Sequence, residues 1–238
     1  MKRLKALSTV GTLGLIVAGT LVFGSAQASS AATCTAPPPG APVASTGFES
    51  GSLCTLIPKV SGTGTATVTG SLAKAGTRSA KLHVTTDSGS LANLSTPTLP
   101  SGTKTVNADG WFNITKAGVA GNDVPYFRFF SGTTRVADIY RYNSNGQLWL
   151  RVTAPNGSFV YTKLIAGNIS LSAWHHVAMR VTANGSKTTI QVWFDEVQKY
   201  SSSSVSMTGS SLSKVQLGAE HNRQMGDEYI DDVVIKAS

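Results

Sequence analysis

Short runs of alternating apolar and polar residues recur from Gly64 to the end of the chain, separated by clusters of Gly, Ser, Thr and Asn. A period of two is typical of half-buried β-strands, and no stretch shows the 3.6-residue period of an amphipathic helix. Eleven runs qualify as strands: residues 64–70, 80–86, 110–116, 126–131, 136–142, 147–153, 159–164, 174–182, 188–194, 214–219 and 229–236. So many short strands predict an all-β fold, a two-sheet antiparallel jelly-roll sandwich.

The clearest hairpin spans residues 174–200, where two alternating runs flank a turn that contains Asn184-Gly185. Asn-Gly between alternating runs is a strong hairpin signal, because both residues tolerate positive φ. The alternation predicts that three residues of each strand cover the same core: Val177, Met179 and Val181 on the first, and Ile190, Val192 and Phe194 on the second.

The first 28 residues have the pattern of a secretory signal peptide. Basic residues at positions 2, 3 and 5 precede a short apolar run over 13–23, and Ala26-Gln27-Ala28 provides a small-residue cleavage site. The apolar run is too short and too rich in Gly to span a membrane comfortably. We therefore predict a secreted, extracellular protein that is not embedded in a membrane.

A Pro-, Ala- and Ser-rich stretch over residues 29–45 follows and predicts an extended linker arm. The folded domain is predicted over residues 46–238. The chain has two cysteines, Cys34 and Cys54. In an oxidising compartment an even pair of this kind predicts a disulfide, which would tie the arm to the domain.

The chain is basic, with 20 Lys and Arg against 12 Asp and Glu. Three of the basic residues lie in the predicted signal peptide, and the others are scattered singly rather than clustered. This distribution argues against a nucleic-acid-binding surface, which needs a basic stripe. It supports at most a mild attraction to acidic extracellular polymers.

The sequence Trp174-His175-His176-Val177-Ala178, followed after the turn by residues 190–196, resembles a hairpin of laminin-G-like domains. These domains belong to the concanavalin A-like lectin and glucanase superfamily. Residues 217–219 and 229–233 agree with the family's order of elements. The resemblance implies that ligands bind a concave sheet face, and that calcium is present in many members. Glu196 stands where many members have Gly, which predicts a differently built turn.

The hairpin over residues 136–153 provides the strongest candidate surface. Leu148, Leu150 and Val152 are predicted to face the core, so Trp149 and Arg151 face away from it. An outward Trp beside an Arg can stack on a sugar ring and donate forked hydrogen bonds.

The register of this hairpin has two alternatives. A two-residue turn at Asn145-Gly146 pairs Tyr142 with Trp149 and Tyr140 with Arg151. A three-residue loop with a bulge instead brings Arg141 and Ile139 to the face of Trp149 and turns both tyrosines inward. The second register separates apolar from polar residues better, and we favour it.

Trp193 and Gln191 form a similar pair, opposite in phase to Val192 and Phe194. We predict that they contact ligand as well, with Trp193 extending an aromatic strip across the sheet that carries Trp149. The alternative is an isolated exposed aromatic residue, which is common on protein surfaces.

Acidic residues are concentrated near the C-terminus. Asp227, Asp231 and Asp232 lie within a few residues of one another, together with Glu228. Hard oxygen ligands at this density suit calcium. Glu49 could join them, because first and last strands often pair in jelly rolls. We therefore predict a structural calcium held by Glu49, Asp227, Asp231 and Asp232.

Motifs for catalysis are absent from the sequence. There is no Glu-x-Asp-x-Glu pattern, no metal-binding histidine spacing and no nucleophile elbow. The adjacent His175 and His176 would point to opposite faces of a strand. The favoured interpretation is a non-catalytic module that binds an extracellular polysaccharide or a cell-surface glycan. The alternatives are a polysaccharide-acting lyase or glycosidase of the same superfamily, and a purely structural or adhesive protein.

Overall fold

The structure is a computed structural model that describes residues 42–238, except for the side chain of Met225. The predicted signal peptide, most of the predicted linker arm and Cys34 lie outside these residues. The predicted Cys34–Cys54 disulfide therefore stays a prediction. No helix within the described part of the chain is long and apolar enough to cross a membrane.

Residues 42–238 form strands joined by short turns. The strands are β1 (Ala44–Thr46), β2 (Ile57–Ser61), β3 (Thr65–Thr69), β4 (Ser79–His83), β5 (Leu91–Ser95), β6 (Thr105–Ala117), β7 (Asp123–Ser131), β8 (Thr134–Tyr142), β9 (Leu148–Thr153), β10 (Phe159–Ile165), β11 (His175–Thr182), β12 (Thr188–Phe194), β13 (Val197–Val205), β14 (Lys214–Ala219) and β15 (Met225–Ala237). A single 3₁₀ turn, Gly185–Lys187, joins β11 to β12 in this part of the chain.

The strands form two antiparallel sheets that pack face to face. The first sheet has the order β13-β12-β11-β6-β15-β4-β3, with β1 paired to β15. The second sheet has the order β10-β9-β8-β7-β14-β5-β2. Apolar side chains from both sheets fill the space between them, which confirms the predicted two-sheet sandwich.

All eleven predicted strands are present, and four further strands were not predicted: β1, β2, β5 and β13. β2 contains Pro58 and is exposed along its whole length, so it has no alternating pattern. β13 contains a run of four serines. β1 begins at Ala44, before the predicted start of the domain at residue 46, and its pairing with β15 confirms that first and last strands are neighbours.

The β11–β12 hairpin has the predicted inward faces. All six residues predicted to cover the core are buried: Val177, Met179, Val181, Ile190, Val192 and Phe194. The next turn, between β12 and β13, has Asp195 at φ 48° and Glu196 at φ 65°. Positive φ at both central residues is the usual geometry of a two-residue hairpin turn. The prediction that Glu196 gives a differently built turn was therefore wrong.

Glu228 is fully buried between the sheets, where it pairs in register with Leu82 on β4 and Ile114 on β6. Within residues 42–238, neither oxygen of its carboxyl group has a hydrogen-bond partner. Burial raises the pKa of this carboxyl well above its ordinary value of 4.5, and the positive charge of Arg128 offsets only part of the effect. A neutral, protonated Glu228 is therefore the favoured form in the fold.

Replacing Glu228 with Gln is expected to raise the free energy of unfolding by about 2 kcal/mol at pH 8. In the unfolded wild-type chain Glu228 ionises above pH 4.5, whereas the fold holds it protonated, so the wild type loses stability as the pH rises. The variant lacks this loss. Urea denaturation at pH 4 and pH 8 should show no difference at pH 4 and a gain at pH 8. A less stable variant at pH 8 would show instead that an ionised Glu228 is paired in the fold.

Candidate functional site

The β8–β9 hairpin has a register that neither alternative predicted. Tyr140 pairs with Trp149, and the Tyr142 N–H donates to the Gln147 carbonyl at 2.9 Å, which leaves a four-residue loop over 143–146. Gly146 closes this loop at φ 69°, and a Cβ there would collide with the Asn168 side chain. The favoured three-residue loop was therefore wrong, and both tyrosines share the face of Trp149.

Trp149 lies on the face of the second sheet that is turned away from the core. Its neighbours Leu148 and Leu150 are buried between the sheets, whereas Trp149 is half-buried on the opposite side. This confirms the predicted orientation of its indole ring. The Lys163 ammonium lies 5.5 Å from the ring centroid. The indole Nε1 is covered by protein and has no hydrogen-bond partner within the described chain.

Arg151 lies on the same face, but two carboxylates hold its guanidinium group. Its Nε and Nη2 atoms donate to the two oxygens of Asp138 at 2.9 and 2.5 Å, and Nη1 lies 3.0 Å from Asp123 Oδ2. Burial alone would lower the pKa of Arg151, but these bonds raise it. Arg151 also lies under Tyr140, 4.8 Å from its ring centroid. Most of its donors are thus already used.

These residues surround an open cleft of about 450 Å³. Its lining combines aromatic rings, one amide and the Asp123–Arg151 ion pair: Gly121, Asp123, Tyr140, Tyr142, Asn145, Trp149, Arg151 and Tyr161. A cleft of this volume is large enough for a small ligand or part of a longer one. We call it the aromatic cleft.

The edge strand β10 extends the aromatic surface beyond the cleft. Tyr161 pairs with Arg151 and Phe159 pairs with Thr153, and the two aromatic side chains are 51% and 46% exposed. Their ring centroids lie 6.3 Å apart. Sequence reasoning missed both residues, although residues 159, 161 and 163 share one face of a strand by simple alternation.

The floor beneath the cleft is a buried polar network. Arg128 is fully buried and donates from Nη1 to Gln216 Oε1 and to the Gly218 carbonyl, and the same atom lies 3.4 Å from Glu220. Asp138, also fully buried, pairs in register with Arg128 on one side and with Arg151 on the other. The charges under the cleft therefore compensate one another.

Arg141 does not lie in the cleft, contrary to the prediction. Because Tyr140 faces the cleft, Arg141 points to the other side of β8, where it is 4% exposed. Its Nε donates to the Ile169 carbonyl and its Nη2 to Asn168 Oδ1, both at 3.0 Å. Its contacts hold the segment that leads into β11 rather than a ligand.

Trp193 and Gln191 lie on the other sheet. Both are half-buried and face outward from β12, and Trp193 pairs with Ala178 on β11. The predicted strip that joins Trp193 to Trp149 on one sheet is wrong, because β9 and β12 belong to opposite layers of the sandwich. Alternation identified the outward phase of Trp193 but not its sheet.

The two adjacent histidines point to opposite faces of β11, as predicted. His175 stacks on Phe194 with centroids 5.0 Å apart, whereas His176 stacks on Trp111 at 4.9 Å. Burial would lower the pKa of His176, but its bonds to Asp109 and Glu196, at 3.0 and 2.7 Å, raise it. The ion pair with Glu196 links β11 to the tight turn after β12.

The four carboxylates predicted to hold calcium do not converge. Asp227 forms ion pairs with Lys81 and His83, at 3.3 and 2.7 Å, and lies away from Asp231 and Asp232 along β15. Within residues 42–238 no group of three or more His, Cys, Asp or Glu side chains is arranged to hold a metal ion. The predicted ligand set is therefore not formed.

Glu49 and Asp231 instead hold the loop over residues 74–78. Glu49 accepts hydrogen bonds from the hydroxyl and backbone N–H of Thr77, and these bonds lower its pKa. Asp231 accepts from the backbone N–H groups of Lys74 and Ala75. A cation would compete with these donors for the same oxygens. Thermal melting with and without a chelator tests for calcium, because a bound ion stabilises only the folded state.

Comparisons with known proteins show similarity in fold. No protein-family model matches the sequence, and no curated protein matches it.

An endo-β-1,4-glucuronan lyase from the fungus Trichoderma reesei is 14% identical, with 76% of this chain and 90% of that one covered and a TM-score of 0.61. The cellulose-induced protein Cip1 is 16% identical, with 81% and 96% covered and a TM-score of 0.62. A carbohydrate esterase from the Shiga toxin-encoding bacteriophage phi24B is 16% identical, with 82% and 97% covered and a TM-score of 0.58. At such identities the likeness shows the jelly-roll sandwich alone.

Proposed function

We propose that this chain is a secreted polysaccharide-binding module of the concanavalin A-like type, of the laminin-G-like branch, and that its ligand lies in the aromatic cleft. The observation that carries the proposal is the half-buried Trp149 between Tyr140 and Lys163 on a sheet face turned away from the core. Similarity of fold to a glucuronan lyase and to a carbohydrate esterase supports a polysaccharide as the partner.

The cleft suits a sugar for two physical reasons. Pyranose rings have apolar faces that stack on aromatic rings, and Trp149 and Tyr161 present such rings at the cleft. Sugar hydroxyls also need hydrogen-bond partners, which Asn145 and the two guanidinium N–H groups of Arg151 not bonded to carboxylate provide. Stacking then supplies affinity, and the polar groups fix the orientation of the ring.

The first experiment is a glycan array probed with the secreted protein. The proposal predicts binding to one or more polysaccharide classes with dissociation constants in the range from micromolar to millimolar. Absence of binding to every glycan would contradict it and would favour a structural or adhesive role.

An enzyme of the same fold is the second candidate, and His221 is the observation that favours it. Desolvation lowers the pKa of His221, and it interacts electrostatically with Asp123 at the cleft and with Arg128 beneath it. A neutral histidine suits a general base, but His221 is exposed and is not among the residues that line the cleft, so a catalytic role would need a substrate that extends beyond the cleft. Tyr140 is the other candidate, but burial raises its pKa, which disfavours a phenolate base.

The enzyme candidate has its own test. The protein is incubated with neutral and acidic polysaccharides, and the products are assayed for new reducing ends and for the ultraviolet absorbance of unsaturated sugars. The binding proposal predicts that neither signal rises above that of a heat-denatured control. A signal that disappears in the His221→Ala variant, while binding is kept, would establish the enzyme instead.

A further inference from the structure

We infer that the aromatic cleft selects neutral sugar residues over uronic acids, an inference that rests on the proposed function and names its ligand class. The sequence allowed an acidic partner, because the chain carries a net charge of +8. The charged side chains that line the cleft do not share this excess of positive charge.

The charged groups of the cleft lining are one acid and one base, and they are paired with each other. Asp123 Oδ2 lies 3.0 Å from Arg151 Nη1, and Asp123 Oδ1 accepts a hydrogen bond from Gln224 Nε2 at 2.5 Å. Arg151 spends two more donors on Asp138, which is fully buried behind it. Arg128 and Arg135 also approach these carboxylates, at 3.9 Å from Asp123 and 3.8 Å from Asp138, so the charges here balance and leave no cation without a carboxylate partner.

The other nearby cations are also occupied or screened. Arg128 is fully buried beneath the sheet surface and faces Glu220 at 3.4 Å and Asp123 at 3.9 Å. Lys163 lies over the Trp149 ring at the rim, but it is exposed, and exposed charges contribute little to binding.

A uronic acid differs from its neutral counterpart by one carboxylate, which loses its hydration when it enters a half-buried cleft. Such a group needs an uncommitted cation or several N–H donors to replace the lost water. Here it would meet only the two remaining N–H groups of Arg151, whose positive charge is already paired with Asp123 and Asp138. A neutral hydroxymethyl or hydroxyl group has no such penalty, so a uronic acid polymer should bind at least tenfold more weakly.

Affinity electrophoresis compares the two ligand classes directly. The probes are mixed-linkage β-glucan, xyloglucan and galactomannan as neutral polymers, and glucuronan, alginate and polygalacturonate as acidic ones, all in about 150 mM salt so that long-range attraction is screened. We expect retardation by one or more neutral polymers and a dissociation constant at least tenfold higher for every acidic one. Preferred binding of an acidic polymer would overturn the inference and leave the binding function standing. Binding to no polymer would overturn both.

The variant Asp123→Asn tests the physical cause. It removes one negative charge beside Arg151 and should improve binding of acidic polymers about tenfold, with an effect that weakens as salt increases. The matched control is Asp227→Asn, which changes the net charge equally on the other sheet, where Asp227 pairs with Lys81 and His83. Equal gains in the two variants would attribute the effect to net charge and contradict the inference. A near-UV circular dichroism spectrum that matches wild type would show that this variant is folded.

Discussion

Replacing Trp149 with alanine is expected to weaken glycan binding at least tenfold, which corresponds to about 1.4 kcal/mol. The substitution removes the large apolar ring of the cleft and with it the surface on which a sugar ring stacks. Because Trp149 is half-buried and lies outside the core between the sheets, the fold should survive the change. Isothermal titration calorimetry on the folded variant, with its folding checked by near-UV circular dichroism, measures the loss.

The chain offers a matched control for this variant. Trp193 is also half-buried and outward-facing, but it lies on the first sheet. Trp193→Ala removes the same ring from the other side of the sandwich and should leave affinity within about twofold of wild type. A reversed outcome, with binding lost in Trp193→Ala and kept in Trp149→Ala, would move the site to the first sheet.

Replacing Asp138 with Asn is expected to lower the free energy of unfolding by about 3–5 kcal/mol. Asp138 is fully buried, and its two oxygens accept from Arg151. The amide leaves a buried guanidinium without one of its two counter-charges. For a domain of this size the midpoint of thermal unfolding should fall by roughly 6–20 °C. Differential scanning calorimetry at constant pH measures the change.

The double variant Asp138→Leu with Arg151→Met provides the control. It removes both charges and replaces them with apolar side chains of similar volume, so no buried charge is left alone. It should be more stable than Asp138→Asn, since the cost lies in the unpaired charge. If Asp138→Asn unfolds at the same temperature as wild type, the pair contributes nothing to stability, and the account of the cleft floor is wrong.

The sandwich itself could be predicted from the sequence because alternation is a local signal. Each strand predicted from period-two alternation exists, and the inward residues of β11 and β12 are those that the phase indicated. Two of the four missed strands, β2 and β13, lack the signal for physical reasons. β2 is exposed on both sides, and β13 is an edge strand with serines on both faces, so neither has an apolar face to display.

The candidate site was only partly predictable, because a site depends on which strands become neighbours. Alternation placed Trp149 and Arg151 on the outward face but could not fix the hairpin loop, and a shift of one residue moved Arg141 to the opposite side. Nor could it show that β9 and β12 lie in different sheets, which separates Trp149 from Trp193.

The ion-pair partners of the charged residues could not be predicted from the sequence either. Asp123, Asp138 and Arg151 come from three strands and meet only in the second sheet. The acidic residues near the C-terminus looked like one cluster along the chain, but strand geometry and separate partners distribute them. Proximity in sequence is a weak guide to a metal site when the residues lie on a strand, because successive side chains alternate between faces.

The most direct test of the account is the indole N–H spectrum of the four tryptophans during titration with a neutral oligosaccharide. Cellohexaose, xylohexaose and mannohexaose are added in turn to ¹⁵N-labelled protein, and resonances are assigned with single Trp→Phe variants. The account predicts a saturable shift of the Trp149 Nε1–H resonance with at least one oligosaccharide, and none for Trp193 or Trp111. A shift confined to Trp193, or saturable binding that leaves Trp149 unmoved, would contradict it.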